Sequence, residues 1–393
     1  MASSKLPKVA IALGLVSLCM DLSSEMIHSL LPIFMVTALG ASALSVGIIE
    51  GVAEATAAIA KVFSGVLSDW TARRKPLLLL GYGLATLTKP LFPLANGIGA
   101  ILTARFIDRI GKGIRGAPRD ALIADITPQE SRGAAYGLRQ SMDTVGAFAG
   151  PLFAVGLMAI SHDNFRLVFW VAVVPALVCV LLIAFGVEEP DTTQQVGQPS
   201  FPISRVNLRR LPIHFWRVVI FAAVLTLARF SEAFLLLRAQ DLGMSVTWVP
   251  LILIVMNIVY AISAYSLGKL SDNCNRCILL AWGIIFLIMA DLILALAANV
   301  WVVGIGTALW GLHMGATQGL LATLVSDTAP AGLRGTAFGI FNLISGIALL
   351  AASMIAGVFW TAVGPQLTFY AGAAFSSLAL AALLLTGLKN LPA

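Results

Sequence analysis

Apolar stretches of about 20 residues recur from one end of the chain to the other, and a helix of that length crosses about 30 Å of hydrocarbon. The pattern predicts spans at 9–37, 44–67, 76–94, 98–122, 133–158 and 166–187, then at 218–238, 245–267, 277–297, 300–325, 336–361 and 366–387. These are called spans 1 to 12 below. The widest polar break, 188–217, is rich in Gln, Thr, Pro and Arg and reads as a connector between a six-helix bundle over 1–187 and another over 218–393. The first apolar stretch runs on past Asp21, Glu25 and His28 into more apolar chain, so it reads as a spanning helix and not as a removed leader.

A repeat supports the division. Asp125, Pro128, Arg132, Gly133 and Gly137 return as Asp327, Pro330, Arg334, Gly335 and Gly339, each 202 positions later. Gly65, Leu67, Ser68 and Asp69 return as Gly268, Leu270, Ser271 and Asp272, each 203 later. Such self-similarity makes the expected architecture an all-α integral membrane protein of twelve helices in two pseudo-symmetric halves.

Composition agrees: 59% of residues are hydrophobic and 11% charged, against roughly 25% charged in soluble domains. Lys and Arg gather in alternate breaks, at Lys5 and Lys8, Arg73 to Lys75, Arg205 to Arg217 and Lys269 to Arg276, while the opposite breaks offer only Arg166 and Arg238. By the positive-inside rule both termini face the cytoplasm. This asymmetry accounts for the net charge of +6, so nucleic acid is not an expected partner. The four cysteines make no disulfide framework, and the Cys274-x-x-Cys277 pair has no second ligand pair for a structural zinc site. No cofactor or metal is expected.

Three motifs carry a family resemblance. Gly65-Val-Leu67-Ser68-Asp69, followed by Arg73, Arg74 and Lys75, resembles the signature between helices two and three of the major facilitator superfamily. Arg109-x-x-Lys112-Gly113 resembles that family's Arg-x-x-Gln-Gly motif, with Lys112 in the Gln position. Gly146-x-x-x-Gly150-Pro151 resembles the Gly-Pro motif of its exporters, and small residues four apart also let helices pack closely. The chain most resembles bacterial proton-coupled efflux members. The resemblance implies alternating access, a monomer, and a cytoplasmic latch or gate involving Gly65, Asp69, Arg73, Arg74, Arg119 and Asp272.

Charges inside the membrane are costly and mark functional sites. Asp21, Glu25 and His28 share one face of span 1, and Glu50 and Glu54 one stripe of span 2. Arg105, Asp108, Arg109, Lys112, Arg115, Arg119 and Asp120 crowd within an arc of about 140° on span 4, a face that cannot meet lipid. Arg139 and Asp143 lie four apart on span 5, and Arg229 and Glu232 sit on span 7. Asp21, Glu25, His28 and Glu54 are the expected proton-coupling groups; Glu50, Arg105, Asp108, Arg109, Lys112, Arg115, Arg139, Asp143, Arg229 and Glu232 are the expected cavity residues and charge partners.

The leading expectation is proton-driven efflux of a small organic solute from a bacterial cell across its inner membrane. The alternatives are uptake or exchange of an anionic metabolite held by the basic face of span 4, and metal-cation export through Asp21, Glu25, His28 and Glu50. A receptor or scaffold has no need of buried charge. No soluble segment here is large enough for an enzyme.

Overall fold

The computed structural model describes residues 7–71, 74–128, 131–188, 208, 210–271, 276–330 and 333–385. Among these every regular element is a helix. Ten helices are long and apolar enough to cross a membrane. The remaining two are span 4, Ile98–Ile126, whose charges spoil its hydropathy, and span 8, Leu251–Ser271, apolar over Leu251–Ala264. Large side chains such as Ile160 and Phe185, 80% and 85% exposed, suit a surface bathed in lipid.

Three spans expected as continuous are broken. Span 1 is Lys8–His28 followed by Leu31–Thr37. Pro32 offers no N–H to the His28 carbonyl and its ring collides with that carbonyl, so the first helix ends there. Pro90 and Pro93 act likewise on span 3, Arg74–Thr88 followed by Leu91–Leu94. Span 7, Ile213–Ala228 and Ala233–Asp241, breaks without proline. The Ser231 N–H donates to Ser353 Oγ at 3.2 Å and Ser231 Oγ accepts from the Ala233 N–H at 3.2 Å, so side chains satisfy the backbone that the helix releases. Span 8 starts at Leu251, just after Pro250, where a helix tolerates proline.

Contacts divide the chain into two compact units, Met1–Leu31 with Thr56–Phe201 and Pro32–Ala55 with Pro202–Ala393. The first unit is centred on spans 1, 3, 4, 5 (Arg132–Ile160) and 6 (Phe165–Gly186). Leu13, Met20, Tyr82, Ile123, Cys179 and Ile183 belong to its core. Spans 1 and 5 meet along glycines. A Cβ on Gly146 would lie 2.9 Å from the Asp21 Cβ and the Leu18 oxygen; one on Gly150 would lie 2.6 Å from the Glu25 Cβ and 3.0 Å from the Leu22 oxygen and Met26 nitrogen. Pro151 is buried beside them. Backbone cannot yield as a side chain can, so Gly150→Ala is expected to lose about 1–3 kcal/mol in overpacking. Gly156, with nothing within 4 Å, is the control on the same helix. Thermal unfolding of both alanine variants in detergent checks this, and equal midpoints would contradict the close seam.

In the second unit, residues 43–55 of span 2 (Ala43–Thr71) pack on span 11 (Arg334–Ala362). Gly357 lies where a Cβ would come 2.7 Å from the Leu44 Cα, and the Leu44 N–H donates to Thr361 Oγ1 at 3.3 Å. Arg238, expected in an outer loop, is instead buried at 2% exposure. It donates to the carbonyls of Leu294 and Ala295 in the last turn of span 9 (Arg276–Leu296) and of Ala297 just past it, and pairs with Asp241 at 2.5 Å. Cations there satisfy carbonyls that a helix end leaves open.

Candidate functional site

The charged face of span 4 turns into the first unit. Arg105, Asp108, Arg109 and Arg115 are each 2–6% exposed, while Lys112 is exposed and Arg119 intermediate. Burying so many ions is tolerable only where partners hold them, and two tiers of partners are present.

The tier nearer Ile98 holds six titratable groups and a serine from spans 1, 3 and 4. Lys89 Nζ lies 3.0 Å from Asp108 Oδ1 and donates to Ser24 Oγ at 3.0 Å. Beside this pair, Arg105 Nη1 and Arg109 Nη2 both reach His28, the latter at 3.1 Å from Nε2. Arg109 Nη2 also lies 3.2 Å from Nδ1, and whichever ring nitrogen accepts from a guanidinium carries no hydrogen. Nδ1 faces Glu25 Oε1 at 3.6 Å. Glu25 has the most open side chain of this chain of contacts, 26% exposed against 13% for His28. The arrangement thus runs from a partly wetted carboxyl, through an imidazole, to two guanidiniums.

The tier nearer Ile126 joins spans 4 and 5. Arg139 Nη1 lies 3.0 Å from Asp143 Oδ2 and 3.6 Å from Asp120. Arg119 sits 3.2 Å from Asp120 and 3.9 Å from Asp143, and donates to Ser17 Oγ at 2.9 Å. Between the tiers, the Arg115 guanidinium lies 4.7 Å from the centre of the Tyr82 ring, a distance for cation–π attraction. Asp21 faces the span 5 seam through its Cβ.

Other expected residues lie elsewhere. Glu50 and Glu54 belong to the second unit, Glu50 at 7% exposure. Among the described residues no three of His, Cys, Asp and Glu gather to hold a metal ion. Arg229 and Glu232 flank the span 7 break and lie within electrostatic reach of each other and of Tyr260. Arg74 pairs with Asp125 at 3.4 Å, inside the first unit. The side chain of Asp69, and Arg73, Asp272 and Cys274 entirely, fall outside the described residues; Gly65 is described only as part of the span 2 helix. Cys277 is buried.

Sequence reasoning passed over Lys89. Its signal was present: a lysine between Thr88 and Pro90 inside an apolar span is as costly as the charges that were noticed. The second unit carries a cluster of aromatic rings at its span 7 break. Phe230, at the span 7 break, lies 5.2 Å from Trp310 and 5.5 Å from both Phe234 and Phe369, centre to centre.

Comparison with known proteins follows the same lines. The family model described as Major Facilitator Superfamily matches residues 13–353 and 233–392. An uncharacterized MFS-type transporter of Methanocaldococcus jannaschii is 32% identical over 375 residues, covering 94% of this chain and 92% of the relative. The multidrug resistance protein MdtG of Citrobacter koseri is 26% identical over 309 residues, 76% of this chain and 74% of the relative. The crystal structure of a D-xylose-proton symporter shares the fold, with a TM-score of 0.75 at 16% identity, covering 96% of each chain. The chain belongs to the Major Facilitator Superfamily and is a multi-pass secondary transporter of the twelve-helix, two-half fold.

Proposed function

We propose that this transporter exports a small organic solute in exchange for protons, by alternating access of the halves 1–187 and 218–393 about the connector 188–217. The observation that carries the reading is the contact series Glu25, His28, Arg105 and Arg109. A carboxyl set among movable cations loads a proton when the cations withdraw and releases it when they approach. With Glu25 ionised, the Nδ1–H of His28 turns toward it and Nε2 stays available to the guanidiniums. With Glu25 protonated, that hold on the ring is lost and the guanidiniums are freed to re-pair. Proton occupancy is thereby tied to the packing of spans 1 and 4.

Export is supported by the Gly146, Gly150 and Pro151 segment, which sits directly on Asp21 and Glu25, and by likeness to a relative named for multidrug resistance. Asp21 and Glu54 are secondary proton carriers in this reading, and Gly65, Asp69, Arg73, Arg74, Arg119 and Asp272 the gate. The charge asymmetry of the loops supports a bacterial inner membrane with both termini cytoplasmic. A monomer suffices.

One observation favours a second reading. Two guanidiniums converge on one neutral ring, and such a pair would take the carboxylate or phosphate of an anionic metabolite as readily. The test is the pH change inside liposomes holding the purified protein when cationic, neutral and anionic solutes are added in turn. Proton-coupled export predicts proton movement with cationic or neutral solutes that is lost in Glu25→Gln. Movement confined to anionic solutes and lost in Arg105→Gln favours the second reading. A flat response across the panel contradicts both.

A further inference from the structure

The repeat that relates the two halves extends to the packing of side chains. Spans 4 and 10 run Ile98–Ile126 and Val300–Thr328, and spans 5 and 11 run Arg132–Ile160 and Arg334–Ala362, each pair offset by 202. A Cβ on Gly81 would meet Arg115, and one on Gly283, 202 residues later, would meet Thr317, the counterpart of Arg115. The crossing of spans 3 and 4 is therefore repeated by spans 9 and 10 in the same register. In that register Lys89 becomes Asp291 and Asp108 becomes Trp310. The second half keeps a charge at the crossing and has lost its partner.

Asp291 is wholly buried, at 0% exposure. Neither carboxyl oxygen has a hydrogen-bond partner among the described residues. Around it lie the Gly372 backbone of span 12 (Pro365–Leu385), where a Cβ would come 2.6 Å from Oδ2, and the edge of Phe230. Gly306 packs on Ala290 and Leu294, which bracket Asp291, and so places the buried Thr307 at the same level of span 10. The charged and titratable groups on the neighbouring elements are engaged elsewhere. Arg238 of span 7 holds Asp241 and the carbonyls after Asp291, Arg229 lies within electrostatic reach of Glu232 and Tyr260, His313 of span 10 bonds the Gly283 carbonyl at 2.8 Å, and Tyr370 of span 12 is 41% exposed. An ionised carboxylate stripped of water and of every partner is held at a prohibitive cost, so the carboxyl here carries its proton.

We propose that Asp291 is a second proton-binding site, in the C-terminal half, independent of the Glu25 and His28 cluster. Its O–H bond breaks and the proton passes to water when the packing of spans 7, 9 and 12 opens, leaving a carboxylate that must be protonated again before the site closes. Release during transport rests on the proton-coupled reading above; occupancy of the site by a proton does not. Infrared difference spectra of the purified protein at neutral pH test it directly. The carbonyl stretch of a protonated carboxylic acid is expected in the wild type and in Glu25→Gln, and absent from Asp291→Asn. Should the asparagine variant fold poorly, Asp291→Glu is expected to keep the band and shift it. A band unchanged in Asp291→Asn or in Asp291→Glu, or no such band in the wild type, overturns the proposal. Loss of solute-coupled proton flux with the band intact would contradict the transport reading and leave Asp291 as assigned.

Discussion

Lys89→Met is expected to destabilise the protein by about 3–5 kcal/mol, because it takes from the buried Asp108 carboxylate its hydrogen-bonded ammonium partner. The pair is dry, with side chains 1% and 4% exposed and 3.0 Å between Nζ and Oδ1. Lys89 also bonds Ser24 at 3.0 Å, so one ammonium ties together spans 3, 4 and 1. Methionine fills nearly the same volume, which confines the loss to charge and hydrogen bonding. Replacing both partners, Lys89→Met with Asp108→Leu, removes the stranded charge and is expected to restore most of the stability, since apolar substitutes for a buried pair are often neutral or better. Thermal unfolding of wild type, both single variants and the double variant in detergent measures the coupling. Additive losses would contradict a closed pair and show that water reaches Asp108.

Glu25→Gln is expected to abolish proton-driven solute accumulation while leaving solute-for-solute exchange. Glutamine keeps the size of the side chain and the packing against Gly150, whose Cβ position lies 2.6 Å from the Glu25 Cβ. What it removes is the proton. A carrier whose coupling acid is permanently neutral still alternates with solute bound, so exchange of labelled against unlabelled solute continues. Exchange lost together with accumulation would place Glu25 in solute binding or in the seam. Accumulation that survives would move proton coupling to Asp21 or Glu54.

The sequence made the helices legible because lipid leaves few options: about 20 apolar residues, polar breaks, and no strands. The 202-residue offset was equally plain, and it turned out to hold down to the Gly81 and Gly283 crossings. The breaks in spans 1 and 3 were readable from Pro32, Pro90 and Pro93, but an apolar count runs straight through them. The break in span 7 had no such sign, since it depends on Ser353, 122 residues away from Ser231. The charged face of span 4 was visible by periodicity, whereas its pairing was not. Periodicity gives a face, and the partner of Asp108 comes from span 3. Arg238 was misplaced for a similar reason: a cation near a helix end reads as solvated until the carbonyls of another helix are found around it. Asp291 stands as a lone carboxyl in an apolar span of the sequence, but its lack of a hydrogen-bond partner among the described residues is a tertiary fact.

The central claim is that proton movement and solute movement are one process running through Glu25. The measurement that tests it most directly is solute distribution across liposomes holding wild-type protein or Glu25→Gln, with a pH gradient imposed and then collapsed by a protonophore. The account predicts uphill solute movement in the wild type that ends when the gradient is collapsed, and only downhill movement in the variant. Equal uphill movement in both proteins, or solute movement in the wild type that ignores the gradient, would contradict it.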